Sequence, residues 1–387
     1  MDTILLAQSQ NDYQRCTRCV MDTSDPEIWF NERGECNHCT EFFETTSKNW
    51  FPNSEGRQKL TQLVQTIRAT GKNNEYDCIL GLSGGVDSSY LALKVKEMGL
   101  RPLVVHIDAG WNSELAVANI EAIVKYCNYD LYTHVVNWEE MRDLQLAYFR
   151  SGVANQDVPQ DHVFFAMLYH LANTHGIRYV LSGGNLATES IFPASWHGSA
   201  MDSINLVSIH KTFGQRQLKD YRTISFFEYY FWYPFIKKMR TIRPLDYMPY
   251  VKADALRELE ARVGYKSYAG KHGESQFTKF FQNYYLPTKF GYDKRLPHLS
   301  SMIVSNQITR EDALKTLETP LYDEDTIDQD ISYFCKKLRI SRDEFNVLMN
   351  TPNRIYLEFP NWDKYYRPMK SIQRFAQKIL QRHIQVH

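Results

Sequence analysis

One segment limits the fold more than any other. The apolar run Tyr76-Asp-Cys-Ile-Leu-Gly-Leu82 leads directly into Ser83-Gly-Gly-Val-Asp-Ser-Ser89, and an apolar-periodic stretch then continues to Met98. The order is strand, glycine turn, helix. Adjacent glycines let successive N–H groups of Ser83, Gly84, Gly85 and Val86 turn toward one point. Ser88 and Ser89 open the helix where its dipole favours an anion, so the segment reads as a phosphate cradle. It is neither a Walker A loop, since no Gly-Lys-Ser/Thr follows, nor a GxGxxG turn.

The flanking sequence supplies the rest of a sheet. Pro102 to Gly110, Leu131 to Asn137 and Arg178 to Asn185 read as further strands. Ser113 to Cys127, Trp138 to Arg150 and Asp161 to His175 read as helices between them. This alternation predicts an α/β fold with a doubly wound parallel sheet and ligands at the carboxyl ends of the strands. Three loops leave those ends: Ser83–Ser89, His106–Gly110, and Ser182-Gly183-Gly184-Asn185 continuing to Glu189.

The motif SGGVDSS resembles the PP-loop of ATP pyrophosphatases, of the adenine nucleotide alpha hydrolase-like type, which split ATP at the α-phosphorus to leave AMP on a substrate oxygen. The resemblance implies that His106 and Asp108 contact the adenosine, against the plainer readings of packing for the His and a helix cap for the Asp. Arg243-Pro-Leu, followed by Lys252, resembles the segment in which such enzymes place a phosphate-binding Lys. A departing pyrophosphate needs cations and Mg²⁺ to carry its charge. Asp87 is the carboxylate best placed to help hold that Mg²⁺, unless it only caps the helix.

Four of the seven cysteines form a second motif. Cys16-Thr-Arg-Cys19 and Cys36-Asn-His-Cys39 have the spacing of a zinc site, expected to be structural because four sulfurs leave no open position. An iron–sulfur cluster suits the same ligands, His38 offers an alternative donor, and a metal-free pair of turns is the plainest alternative. Cys78, Cys127 and Cys335 fall in strand or helix patterns, where buried thiols are usual.

The 387 residues suggest two or three folded units: a zinc-ribbon-like module over 1–50, the nucleotide domain over 51–255, and a mainly helical region over 256–387. Lys+Arg and Asp+Glu both number 45, which disfavours a protein that wraps nucleic acid. No stretch approaches the ~18 apolar residues of a membrane span. The N-terminus lacks the basic start of a secretory signal, so a cytoplasmic protein is expected, with no membrane contact.

Taken together, the CxxC pair, SGGVDSS, Ser182-Gly-Gly-Asn-Leu-Ala-Thr-Glu189 and the run from Lys266 to Arg295 resemble the N-acetyl sugar amidotransferase family, from about Cys16 to about Tyr322. That family makes acetamidino groups on sugars of lipopolysaccharide O-antigen or of nonulosonic acids. The resemblance implies ATP, Mg²⁺ and structural Zn²⁺, and adenylation of an acetamido oxygen followed by attack of ammonia. This chain carries no recognisable glutaminase, so ammonia is expected from elsewhere, and the resemblance implies a partner glutaminase subunit similar to that of histidine biosynthesis together with a cyclase-like barrel subunit. Lys271, His272 and Glu274, in a Gly-flanked loop, are candidates for proton transfer, against an ordinary surface turn. Glu189 is a candidate for sugar hydroxyls. Arg295 and Lys294 are candidates for a sugar carboxylate or phosphate, against a solvated charge pair.

Two rival readings remain at this level. A tRNA-thiolating PP-loop enzyme would need a basic face and catalytic cysteines beside the glycine loop. A non-catalytic zinc-ribbon module would merely retain the nucleotide fold. The densest aromatic stretch, Ser225 to Phe235, is expected to pack in the core, with a partner interface or the wall of an ammonia route as the sharper alternative.

Overall fold

The structure is a computed structural model and describes residues 13–268, 273–366 and 368–369. Its centre is a parallel sheet of five strands: β1 (Cys78–Gly81), β2 (Pro102–Asp108), β3 (Leu131–Val135), β4 (Tyr179–Leu181) and β5 (Arg240–Ile242), in the order β3-β2-β1-β4-β5. The order reverses between β1 and β4, and such a switch point opens a crevice at the carboxyl ends of the two strands.

Strand alternation divides the sheet between two cores. Ile79, Leu103, Val105, Ile107 and Val180 face the helices Trp138–Ser151 and Val158–Thr174. Cys78, Leu80, Val104, Tyr179 and Leu181 face Val86–Glu97 and Lys252–Val263. Both faces are covered, so the central strands read as continuous apolar runs rather than alternating ones.

The helix ends follow from local chemistry. Ser113 Oγ accepts from Ala116 N–H at 3.2 Å and starts the helix Glu114–Cys127, which Asn128 ends in the left-handed conformation at φ +56°. The helix expected from Asp161 begins earlier, at Val158, because Pro159 fits its first turn. Strand β5 is absent from the sequence reading. Three residues after the basic pair Lys237–Lys238, partly exposed, carry no alternation to mark an edge strand.

The four-cysteine segment shares one apolar cluster with Ile191, Trp196, Leu296, Leu299 and Val304. Arg310 fastens it further, donating to the carbonyls of Cys19 and Cys16, each at 2.9 Å. The described residues of the C-terminal region are mainly helical, and Thr309/Asp312 and Ser341/Glu344 form the two capping boxes their spacing predicts.

The aromatic stretch corrects an expectation. It forms the helix Glu228–Ile236, of which only Tyr233 is buried. Tyr233 packs with Tyr169 into the sheet core, whereas Phe227, Phe231, Trp232, Phe235 and Ile236 point outward.

Candidate functional site

The first glycine turn is shaped by its neighbours. Gly84 has φ +84°, and a Cβ there would lie 2.7 Å from the carbonyl oxygen of Ala116, so only glycine fits. Its own carbonyl accepts from the hydroxyls of Tyr265 (2.8 Å) and Tyr268 (2.9 Å). Ser83 and Ser88 join across the turn, Oγ to Oγ at 3.1 Å. Gly85 is the N-cap of Val86–Glu97 and supplies no capping side chain. The first N–H groups of a helix have no partner within it, so the turn presents donors and the positive end of a dipole.

The second glycine turn closes on the first. A Cβ on Gly183 would meet Ser88 N at 3.0 Å and Asp87 C at 3.1 Å, so the two loops touch backbone to backbone. Asn185, fully buried, ties the second turn together. Its Oδ1 accepts from Thr188 N–H at 3.0 Å, and its Nδ2 donates to Gly183 O at 3.3 Å and to Asp87 Oδ1 at 3.4 Å. The same Asp87 oxygen accepts from the hydroxyl of Tyr250, and Lys252 Nζ lies 3.7 Å from Asp87 Oδ2. Three segments far apart in sequence thus meet on one carboxylate. Burial and the neighbouring Asp87 raise the Tyr250 phenol, keeping it a donor.

Around these turns lies a cleft of about 430 Å³ lined by Ser83, Gly85, Val86, Asp87, Ser88, Gly183, Gly184, Glu189, Lys252, Leu256, Ser267, Tyr268, Glu274 and His298. Positions for a Cβ on Gly85 and on Gly184 face glutamates: Glu274 Oε1 at 3.6 Å and Glu189 Oε2 at 3.5 Å. Donor N–H groups and Lys252 suit phosphate oxygens, while Asp87, Glu189 and Glu274 suit a hard divalent ion. The donor set therefore fits a metal-bound polyphosphate.

Behind the cleft lies a more enclosed group. Asp157 accepts from Thr278 Oγ1 at 3.1 Å and Gln282 Nε2 at 3.4 Å, while Lys294 Nζ meets His197 Nε2 at 2.6 Å. Burial raises the Asp157 carboxyl, and nearby Glu274 adds to the rise. Burial raises Asp161 too, with Asp157 and Glu189 adding to the rise and Lys294 opposing it. The His197 imidazole is held low by burial and by Lys294.

Other sequence candidates fall elsewhere. His106 is buried, its Nδ1 3.0 Å from Leu82 O and its Nε2 3.0 Å from Asn112 Nδ2, bracing β2 against β1 outside the cleft lining. Asp108 accepts from Gly110 N–H at 2.7 Å and closes the turn after β2. Ser182 Oγ accepts from Gly184 N–H at 3.2 Å within the second turn, and Ser89 is buried beneath the helix start. Arg295 is turned away, its guanidinium spent on Asp293 and on the carbonyls of Thr316 and Thr319. Lys271 and His272 lie outside the described residues.

Tyr250, Tyr268 and His298 are among the site residues that the sequence reading does not single out. Tyr250 stands two positions before Lys252, inside the segment that flagged the lysine. His298 sits one turn after Arg295 in the helix Arg295–Val304, with its Nδ1 3.1 Å from Thr188 O.

The four cysteine sulfurs lie within 4.8 Å of one another and are all buried. Cys16 Sγ to Cys39 Sγ is 3.9 Å and Cys19 Sγ to Cys36 Sγ is 3.6 Å. Four sulfurs at ~2.3 Å from one tetrahedral ion stand about 3.8 Å apart, so the set fits a single zinc-sized ion better than a multi-iron cluster. Backbone N–H groups of Cys19, Met21 and Cys36 donate to the sulfurs, as thiolates require. His38 turns away, its Nε2 2.7 Å from Asp25 Oδ2. The other three thiols are buried as expected, and burial pushes Cys127 up to about 11.

Comparison with known proteins adds a family for one part of the chain. Residues 274–374 match the domain family described as LPS biosynthesis protein WbpG-like, C-terminal domain. No curated protein matches the chain significantly. Among solved structures, NMN synthetase from Francisella tularensis is 14% identical over 74% of this chain and 96% of its own, with a TM-score of 0.35. An NH3-dependent NAD synthetase from Campylobacter jejuni, in complex with the nitrate ion, is 14% identical over 40% of this chain and 72% of its own, with a TM-score of 0.28.

Proposed function

Starting from the match of residues 274–374 to the family described as LPS biosynthesis protein WbpG-like, C-terminal domain, we propose that this chain is an ATP-dependent, AMP-forming amidotransferase acting on an N-acetyl sugar. The observation that carries the reading is the meeting of the two glycine turns at Asp87 and the N-terminus of Val86–Glu97. An acetamido carbonyl is a poor electrophile, and transfer of AMP to its oxygen makes it one. Ammonia then attacks carbon, AMP leaves with that oxygen, and the amide becomes an acetamidino group.

The chain's own residues have separate tasks in this scheme. The N–H groups of Gly85 to Ser88 and Lys252 hold the departing phosphates, where donors placed in advance stabilise developing charge. Asp87 is fixed by Tyr250 and Asn185 so that one oxygen stays turned toward Lys252. Bound Mg²⁺ would neutralise phosphate charge, with Asp87, Glu189 and Glu274 as the carboxylates lining the cleft that would hold it. Glu274 and Glu189 stand between the cradle and the Asp157–Asp161 pair, on the side where an acceptor sugar and ammonia would enter. Zinc at the four cysteines would hold the N-terminal module in shape. Ammonia would come from the expected glutaminase and barrel partners, since every cysteine here is a candidate metal ligand or buried.

The test is a reaction with ammonium salts at raised pH, ATP and a set of nucleotide-linked acetamido sugars. Expected are AMP, pyrophosphate and a sugar whose mass reflects exchange of O for NH. Formation of ADP would refute the scheme.

A further inference from the structure

One side chain of the cleft has no task in the scheme above. His298 is the one imidazole among the described residues that line it, placed by the helix Arg295–Val304 and partly buried. Its Nδ1 lies 3.1 Å from the carbonyl oxygen of Thr188. A carbonyl only accepts, so Nδ1 carries the proton of the neutral ring and Nε2 keeps the lone pair. The fold thus chooses the tautomer and makes Nε2 the basic edge of a ring that borders the cleft.

The ring is positioned from the phosphate cradle itself. Asn185, whose Nδ2 donates to Asp87 Oδ1 at 3.4 Å, accepts on Oδ1 from both the N–H and the hydroxyl of Thr188, at 3.0 and 3.1 Å. The Thr188 carbonyl then holds His298. From the other side, Ser301 Oγ accepts from Ile191 N–H at 2.9 Å, and Ser305 Oγ and Gln307 Nε2 both donate to Ala187 O, at 2.7 and 2.9 Å. Gln307 Oε1 accepts from Lys252 N–H at 3.0 Å, which links the same helix end to the phosphate-side lysine. Asn185, Thr188, Ser301 and Ser305 are buried, so water does not compete for these bonds. His298, Asp87 and Lys252 are therefore one preset arrangement, as a residue that must meet a reacting atom requires.

The charges that share the cleft with the ring are Asp87, Glu189, Glu274 and Lys252, and near Glu189 stand Asp161 and Lys294. Asp87 is engaged by Tyr250, Asn185 and Lys252, and Tyr268 donates its hydroxyl to Gly84 O. Carboxylates are ordinarily weaker bases than imidazole by about two orders of magnitude. We propose, resting on the amidotransferase reading, that His298 is the catalytic base of amination, taking a proton at Nε2 from ammonia as its nitrogen joins the adenylated carbon. Ammonia forms the new C–N bond, and the C=N pair of the adenylated group moves onto the sugar nitrogen. His298 takes one proton from the attacking nitrogen and hands it to the sugar nitrogen. The C–O bond then breaks, its pair leaves with AMP, and the lone pair of the new amino group closes the amidinium. No proton is gained or lost overall. Without a base the attacking nitrogen stays charged and is itself readily expelled, so the adduct reverts.

The test separates the two half-reactions of the full chain, with ATP, labelled pyrophosphate, ammonium chloride and the acetamido sugar that turns over in the reaction above. His298→Asn keeps a donor toward Thr188 O and removes the base. Amidine formation at fixed free ammonia should fall about 10²- to 10³-fold, while sugar-dependent exchange of pyrophosphate into ATP should fall no more than about threefold. Wild-type amination at fixed free ammonia should rise with pH to a plateau, with its midpoint at about 6 to 7, and the variant should lack that rise. The proposal is overturned if His298→Asn, melting as wild type does, loses exchange and amination equally, keeps its amination, or keeps the pH rise. If the variant melts lower, the decision passes to His298→Ala with added imidazole: restored amination supports the base, and no restoration overturns it. Ring-nitrogen shifts in the free protein need no turnover, and a proton found on Nε2 rather than Nδ1 also overturns the proposal. A wild-type chain without sugar-dependent exchange refutes the amidotransferase reading itself, and the base assignment with it.

Discussion

The four-cysteine module and the glycine cradle are both built from short motifs at tight turns, yet they end in opposite states. In the module every sulfur faces three others, backbone N–H groups point at the thiolates, and His38 is occupied by Asp25. In the cradle the helix Val86–Glu97 starts on a glycine with no capping side chain, and Cβ positions open toward glutamates across a cleft. A shell closed by its own ligands can only hold a shape. A ring of donors left facing a cleft is suited to a ligand that arrives and departs.

The largest effect that would break this contrast is at Asp87. Replacing it with Asn should lower AMP formation by about 10³-fold, because the carboxylate beside Lys252 loses its charge while its shape remains. Melting temperature and bound zinc should stay near wild type; a variant that also sheds its metal would mean that the two regions are one unit. Cys16→Ser should act the other way round, lowering the melting temperature by ten degrees or so, since metal binding in such modules is folding energy. Activity per folded molecule should survive. Unchanged melting with lost turnover would give the module a chemical role.

Smaller changes sharpen the picture. Gly183→Ala adds a methyl 3.0 Å from Ser88 N and should raise the KM for ATP about tenfold, with little change in stability, by parting the two turns. The mildest variant is Asp161→Asn. Because the folded-state pKa of Asp161 is raised, the native chain holds a proton there that the unfolded chain has lost, so stability falls as pH rises above about 4 toward the folded value. The Asn variant should therefore melt a few degrees higher at pH 8 than wild type, and the gain should vanish near pH 4. A gain independent of pH would place its cause outside the ionisation of Asp161.

Sequence alone revealed those parts of the molecule where local chemistry dictates the outcome. Four strands, the helices between them, both glycine turns and the cysteine spacing follow from patterns within a few residues. The misses arose where distant segments decide. Strand β5 gains its place only by pairing with Tyr179–Leu181, and nothing in Arg240-Thr-Ile242 announces it. Arg295 was a candidate for a sugar carboxylate or phosphate, against a solvated charge pair, and the fold spends it on neighbouring Asp293 and on the carbonyls at the end of Arg310–Glu318. Tyr250 needed the knowledge that its hydroxyl meets Asp87 across 163 positions. The aromatic stretch was read inward because apolar residues usually pack, a rule that runs in one direction only.

The Arg310 clamp sets an order of events during synthesis. The cysteine knuckles leave the ribosome well ahead of their clamp, because the guanidinium that fastens Cys19 follows 291 positions later. At ribosomal speeds of ~5–20 residues per second that interval is about 15 to 60 s. The N-terminal module must pass that time beside a growing sheet without its final support, and an early-bound metal ion would keep it folded through the delay.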